Sequence, residues 1–200
     1  MDKTSMESAN IEEPENPSPR RNFLMQSSLF SLGALAAISL GQSAPAWAKT
    51  VSASTNDDIA ILNSALGSEY QAIAAYQVGA ESGLLEKSVM DVAVKFQDHH
   101  KAHAKILAST IAQLGGVAVT PKKPADYAFP VDQLKSQADV LKFAAGLEKG
   151  AASAYLSALP KFHNKDLTSA AGSILGDETM HWAILLNALG EDPVPHAFIA

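Results

Sequence analysis

Residues 96–107 read FQDHHKAHAKIL, and this short stretch holds three of the six histidines of the 200-residue chain. The four-three-four spacing of packed helices places Phe96, His100, His103 and Leu107 on one face. His99 falls off this face, at its edge or toward solvent. Residues three apart on a helix are neighbours, so the stretch predicts a helix that directs a pair of imidazoles into the protein core.

The same spacing continues through a helix predicted over residues 85–114 and recurs in helices predicted over 57–80, 131–159 and 165–189. We expect Thr55 or Asn56 to cap the first helix. Apart from Thr110, each inward face is apolar or aromatic except near its middle. The ionisable residues on these faces are Glu69, His100, His103, Glu148, Glu178 and His181.

The connections between the predicted helices indicate their arrangement. Helices one and two, and helices three and four, are joined by short links, so each pair is predicted to form an antiparallel hairpin. The link between helices two and three contains three prolines and is long enough to cross the bundle. The predicted fold is therefore all-α, an antiparallel four-helix bundle with a long crossover between helices two and three.

An internal repeat relates the two hairpins. His100 follows Glu69 by 31 residues, and Glu178 follows Glu148 by 30. Tyr76 and Tyr155 stand at the same distance after the two glutamates, Glu69 and Glu148. We therefore expect two versions of one unit, with their polar residues facing each other across a pseudo-two-fold axis.

Six ionisable side chains at one depth of a bundle need neutralisation, because burying a single unpaired carboxylate costs several kcal/mol. A divalent cation would neutralise them, and carboxylate with imidazole suits iron, manganese or zinc. The alternative is a metal-free network in which imidazolium and carboxylate groups satisfy each other.

Composition excludes several other classes of protein. The chain is 47% hydrophobic and 18% charged, which argues against global disorder. Its formal net charge of -6 and the lack of a basic patch argue against a nucleic-acid partner. It contains no cysteine, so disulfides, thiolate metal sites and a cysteine nucleophile are excluded.

The N-terminal region resembles a bacterial twin-arginine export signal. Residues 19–25 read PRRNFLM, an apolar run covers residues 27–41, and Ala46-Trp47-Ala48 offers a cleavage site. The run is short for a membrane span of about 20 apolar residues, so we expect cleavage rather than a retained anchor. This resemblance implies the export machinery as a partner, no stable membrane span after cleavage, and a periplasmic protein. The expected division is a signal peptide at 1–48, a linker at 49–56, a bundle at 57–189 and a tail at 190–200.

The bundle resembles the ferritin-like superfamily, in which two helices each contribute a Glu and the other two each contribute Glu-x-x-His. Glu69 and Glu148 match the single glutamates, and Glu178-Thr-Met-His181 matches one Glu-x-x-His. The closest likeness is to exported ferritin-like domain proteins with twin-arginine signals. It implies one or two iron or manganese ions, with zinc as a third candidate, and a redox role in iron oxidation or in peroxide or oxygen detoxification during stress. The implied ligands are Glu69, His100, His103, Glu148, Glu178 and His181.

His100 departs from the family pattern, because His100-Lys-Ala-His103 stands where the family has Glu-x-x-His. In the family that Glu bridges two metals, whereas an imidazole offers one ring nitrogen to a given metal and cannot bridge like a carboxylate. A single metal, a looser pair with one carboxylate bridge and a vestigial site all stay open. The alternative function is therefore a non-catalytic envelope stress or metal-carrying protein, and the assembly is expected to be a monomer or a homodimer.

Overall fold

The computed structural model describes residues 52–199, and within this range the chain forms four long helices, three short 3-10 turns and no strand. The predicted all-α fold is confirmed. The helices are α1 (Ala53–Glu81), α2 (Lys87–Gln113), α3 (Gln137–Ala158) and α4 (Lys165–Ala188). The 3-10 turns are Pro124–Tyr127, Val131–Gln133 and Leu159–Lys161.

Two predicted helix starts are wrong, and hydroxyl caps explain both. The Ser52 side chain accepts a hydrogen bond from the Thr55 backbone N–H, so α1 begins at Ala53 rather than after Thr55 or Asn56. Residues 53–56, expected to belong to a linker, are helical. Ser136 caps α3 in the same way, so residues 131–133, expected in this helix, form a separate 3-10 turn.

The helix ends follow the sequence more closely. Helix α2 stops one residue before the expected end, and Gly115 follows with a φ of 84°. Helix α4 ends at Ala188, and Gly190 has a φ of 74°. Glycine adopts this left-handed conformation without a steric penalty, which is why these glycines terminate the helices.

Contacts at the two ends of the bundle establish the crossover. The Asn63 side chain, near the start of α1, bonds the backbone of Val117 and Val119 just after α2. At the opposite end, the Glu86 N–H before α2 donates to the Gln137 side chain at the start of α3. The segment between α2 and α3 therefore runs the length of the bundle, and α2 and α3 are parallel.

A buried carboxylate ties the second hairpin to the first. Asp58 of α1 is 4% exposed and accepts backbone N–H bonds from His163 at 2.8 Å and Asn164 at 3.1 Å. These two residues form the turn between α3 and α4. Asp58 therefore places the start of α4 beside the start of α1.

The predicted inward faces are buried along most of their length. Leu66, Leu107, Ala152 and Ile174 are among the core residues that these faces contribute. At the helix ends the prediction fails, because Ala138 and Ala188 are exposed. The middle of the bundle, where the ionisable residues lie, is the most fully buried part of the predicted faces.

The predicted signal peptide at 1–48 lies outside the described residues. Among residues 52–199, no helix is both long enough and apolar enough to cross a membrane. The described part of the tail, residues 190–199, contains no helix or strand.

Candidate metal centre

All six predicted site residues meet in the middle of the bundle, one or two from each helix. Five of them are at most 2% exposed, and His103 is the most accessible at 15%. The residues at most 2% exposed are Glu69, His100, Glu148, Glu178 and His181.

The first ligand group consists of Glu69, His100, His103 and Glu178. His100 Nδ1 lies 2.8 Å from Glu69 Oε2 and 3.7 Å from Glu178 Oε1. His103 Nδ1 lies 3.5 Å from Glu69 Oε2 and 3.2 Å from Glu178 Oε1. Two imidazole nitrogens and two carboxylate oxygens thus converge on one point.

The second ligand group consists of His100, Glu148, Glu178 and His181. Here His100 uses its other nitrogen, Nε2, which lies 3.2 Å from Glu148 Oε1. His181 Nδ1 lies 3.4 Å from Glu148 Oε2 and 3.7 Å from Glu178 Oε2. Phe96 stacks on the His181 ring with the centroids 3.9 Å apart and holds its orientation.

Glu178 belongs to both groups and divides its oxygens between them. Oε1 faces His103 of the first group, and Oε2 faces His181 of the second. Glu178 is therefore positioned to contribute one oxygen to each ligand group. His103 in the first group and His181 in the second occupy matching positions of the internal repeat, so each hairpin supplies one of them.

Each hairpin also supplies a tyrosine to the glutamate of the other hairpin. The Tyr155 hydroxyl donates to Glu69 Oε1 at 2.6 Å, and the Tyr76 hydroxyl donates to Glu148 Oε1. These bonds hold the Oε1 atom of each glutamate, while Oε2 of Glu69 faces His100 and His103 and Oε2 of Glu148 faces His181. The tyrosines therefore orient the candidate ligands as well as packing in the core.

A second layer of polar groups lies toward the surface, built on Asp177. Its Oδ2 atom lies 2.9 Å from His99 Nδ1, 3.3 Å from His103 Nε2 and 3.4 Å from His181 Nε2. His99 Nδ1 also lies 3.0 Å from His181 Nε2. Asp177 thus contacts the outer nitrogen, Nε2, of His103 and of His181, and the Nδ1 atoms of these two residues face the ligand groups.

The helical spacing did not predict Asp177 as a site residue, although the internal repeat indicated its position. Asp177 precedes Glu178 as His99 precedes His100, so the two occupy matching positions in the hairpins. His99 lies at the edge of the bundle, as expected. Asp98, also off the predicted face, bonds Lys101 and is 63% exposed.

The site shifts the acid–base properties of its histidines. Burial would lower the pKa of His100, but hydrogen bonds to Glu148 and Glu69 outweigh it and raise the pKa to about 10. For His103, burial is likewise outweighed by Glu178 and Glu69, and the pKa rises to about 9. Without a metal, the imidazolium form of His100 donates to both neighbouring glutamates.

The carboxylates respond in two directions. Burial would raise the pKa of Glu69, yet its bonds to His100 and His103 lower it. The pKa of Glu148 is also lowered, because His100 and His181 outweigh its burial. Burial dominates at Glu178 and raises its pKa despite the nearby imidazoles. Glu178 is therefore the carboxylate least neutralised by the histidines alone.

Hydrogen bonds among residues 52–199 do not satisfy this site. Five buried atoms lack hydrogen-bond partners there, a situation that native proteins rarely tolerate because each such atom costs about 1–3 kcal/mol. They are His103 Nδ1, Glu148 Oε2, both Glu178 oxygens and His181 Nδ1. All five are atoms that could bind a metal ion in one of the two ligand groups. The residues therefore fit bound cations better than a closed network of hydrogen bonds.

Comparisons with known proteins agree with this architecture. The ferritin-like domain family matches residues 57–191. A conserved hypothetical protein from Mycobacterium tuberculosis, rv2844, has a TM-score of 0.62 at 23% identity, covering 73% of this chain and 99% of that one. A structure described as ferritin like, diiron-carboxylate proteins from Bacillus anthracis str. Ames has a TM-score of 0.59 at 24% identity, covering 69% and 99%.

At these identities, the solved structures show a shared fold. A search of the curated proteins gives no match to this chain. The family match covers most of the bundle and includes all six predicted site residues. The chain belongs to the ferritin-like domain family.

Proposed function

We propose that this chain is an exported ferritin-like protein that binds non-haem iron or manganese between its four helices. The observation that carries the proposal is the pair of four-residue ligand groups whose buried donor atoms lack hydrogen-bond partners. The ligands are Glu69, His100, His103, Glu148, Glu178 and His181.

The donor set supports a transition metal. Three carboxylates supply hard oxygen donors, and three imidazoles favour iron, manganese or zinc over calcium and magnesium. Asp177 and His99 support the imidazole ligands from outside, as carboxylates commonly do at metal-bound histidines. Iron or manganese bound here supplies one-electron redox chemistry.

We further propose a redox role in iron oxidation or in the removal of peroxide or oxygen species. A cavity of about 280 Å³ supports access of molecular oxygen, because it is lined almost entirely by apolar atoms, lies among all four helices and has Tyr76 in its wall. Tyr76 also holds the Glu148 ligand. A small apolar molecule in this cavity would therefore lie next to Tyr76, the residue that bonds the candidate ligand Glu148.

One observation favours a second function, a metal-carrying or envelope stress protein without turnover. His100 replaces a carboxylate and is ion-paired to both Glu69 and Glu148. An imidazolium ion-paired with both glutamates offsets part of their negative charge. Less negative charge is then available to stabilise an oxidised metal ion. This alternative uses the same ligands and differs only in reactivity.

Activity assays separate the two functions. The purified protein, reconstituted with Fe(II) or Mn(II), is assayed for Fe(II) oxidation and for peroxide consumption, with Glu178→Gln as the control that removes the shared carboxylate. Activity that depends on Glu178 supports the redox role. If the native protein is inert while His100→Glu becomes an oxidase, the metal-carrying function is favoured and the redox role fails.

Export is proposed from the residues of the N-terminal region. Arg20 and Arg21 form the arginine pair that the export machinery reads. Replacing both with lysine retains the charge and should stop export, which fractionation of the native host measures. Secretion of the double lysine variant at the native level would contradict a twin-arginine signal.

A further inference from the structure

We propose that His100 binds two metal ions at the same time, one through each ring nitrogen, and thereby forms the second bridge beside Glu178. This inference rests on the proposed function, because it assigns a binding mode within the same centre. It replaces the expectation that an imidazole at this position restricts the site to one metal or to a single bridge.

The first line of support is the direction of the two nitrogens. Nδ1 of His100 faces Glu69, in the first ligand group, and Nε2 faces Glu148, in the second. The side chain is 1% exposed, and both of its nitrogens are within hydrogen-bonding distance of candidate ligands. The ring therefore lies between the two groups rather than within one of them.

The second line of support is the spacing of donors around each nitrogen. A tetrahedral ion with metal–ligand bonds of about 2.0–2.1 Å has ligand atoms about 3.4 Å apart. In the first group, the four imidazole–carboxylate separations run from 2.8 Å to 3.7 Å. In the second group, His100 Nε2 lies 3.2 Å from Glu148 Oε1, and His181 Nδ1 lies 3.4 Å from Glu148 Oε2 and 3.7 Å from Glu178 Oε2, so the two histidines meet different oxygens of Glu148. Each group counts four ligand residues only when His100 is included.

The third line of support is charge. Two divalent ions bring four positive charges into a buried site, whereas Glu69, Glu148 and Glu178 bring three negative ones. A neutral imidazole leaves one positive charge uncompensated, which is costly at this depth. An imidazolate at His100 supplies the missing negative charge among the six ligands, whereas the charge of Asp177 lies outside them on a side chain that is 21% exposed.

The proton balance of this binding mode is simple. When the second ion binds, the remaining ring N–H bond of His100 breaks and a metal–nitrogen bond forms. The proton leaves to solvent, and no electrons are transferred. Each metal thus takes the place of a proton on one side of the same ring.

A crystal structure of the purified full-length protein loaded with Zn²⁺ tests the proposal directly. Anomalous scattering at the zinc edge locates the ions independently of activity. We expect two ions per chain, each about 2.0–2.1 Å from a different ring nitrogen of His100. The distance between the two zinc ions should be longer than in common two-metal centres, where it is about 3.5–4 Å, because the imidazole ring lies between the ions.

The outcomes distinguish this proposal from the proposed function. Two zinc ions with only one nitrogen of His100 bound overturn the bridge and leave metal binding intact. A single zinc ion per chain would likewise overturn the bridge and leave metal binding intact. No zinc in the centre overturns the bridge, and an empty centre after loading with Fe(II) or Mn(II) overturns the proposed function as well.

Zinc titration of His100→Gln supplies a second test, with His163→Gln as the matched control at an exposed histidine. A bridging ring serves both ions, so both binding steps should weaken by at least about tenfold. His163→Gln should bind as the native protein does. If the His100→Gln variant keeps its helical fold and only one of the two zinc-binding steps weakens, the bridge is contradicted.

Discussion

The Tyr155 hydroxyl donates a 2.6 Å hydrogen bond to Oε1 of Glu69, a residue that lies 86 positions earlier and in the other hairpin. Tyr76 makes the reciprocal bond to Glu148. Each hairpin therefore orients the glutamate of its counterpart, and the site is shared between the two halves of the repeat. The two glutamates therefore reach their positions in the site only when the two hairpins pack together.

Replacing Tyr155 with Phe tests that link. Because the change leaves a buried carboxylate oxygen without its donor, we expect a loss of about 1–3 kcal/mol in the free energy of unfolding. Metal affinity should fall about 10–100-fold, since Glu69 is no longer held in place. Chemical denaturation and metal titration measure the two effects. Tyr127→Phe is the control, because this hydroxyl accepts a bond in the exposed crossover, and equal losses in both variants would contradict the account.

Asp177→Asn tests the outer layer of the site. The substitution preserves size but removes the negative charge that faces His103 and His181. We expect a drop in metal affinity of about 10–100-fold with the helical fold retained. Asp98→Asn, at an exposed position on the neighbouring helix, should leave affinity unchanged. Unchanged affinity in Asp177→Asn would remove this residue from the site.

The metal-free protein should become less stable as pH rises from about 6.5 to 10. In the folded state the pKa is about 10 for His100 and about 9 for His103, against 6.5 for an unperturbed imidazole. Because the folded pKa values are raised, the stabilisation is complete below pH 6.5 and is lost as pH passes through about 9–10.

Thermal unfolding in the presence of a chelator measures this dependence. Each kcal/mol lost lowers the Tm of a domain of about 150 residues by roughly 2–4 °C. The metal-loaded protein should change less over the same range, since ions then neutralise the glutamates instead of protons. A Tm for the metal-free protein that is flat or rising above pH 6.5 would contradict the ion-paired histidines.

Asp58→Ala should reduce stability without reducing metal content. The carboxylate holds the backbone N–H groups of His163 and Asn164, and hydrogen bonds to charged groups are worth about 1.5–3 kcal/mol each. We expect a loss of about 3 kcal/mol by chemical denaturation, with an unchanged ion count by elemental analysis. Asp57→Ala, at the adjacent position and 68% exposed, should change neither quantity.

The sequence predicted the middle of the bundle well because periodicity is strongest there. Glu178 and His181 were placed on the buried face by the same spacing that placed Leu167 and Leu185, and all four are buried. The helix starts were harder, because local hydroxyl caps at Ser52 and Ser136 decide them. Periodicity does not distinguish such a cap from other nearby polar residues.

The missing parts of the site depend on contacts between helices. Asp177 lies off the predicted inward face, and only the approach of α2 to α4 brings it against His99 and His103. The two directions of the His100 ring are equally invisible in a sequence, since the residue type leaves open which neighbour each nitrogen meets. The repeat aligned His100 with Glu178 and so indicated the position without indicating the geometry.

Elemental analysis of the protein, purified from its native host without a metal-affinity tag, would show whether this buried centre holds metal. We predict two iron or manganese ions per chain. One ion per chain would retain metal binding and contradict the bridge at His100. No metal, together with a Tm unchanged by added iron, manganese or zinc, would contradict the account and leave the six residues as a buried polar network.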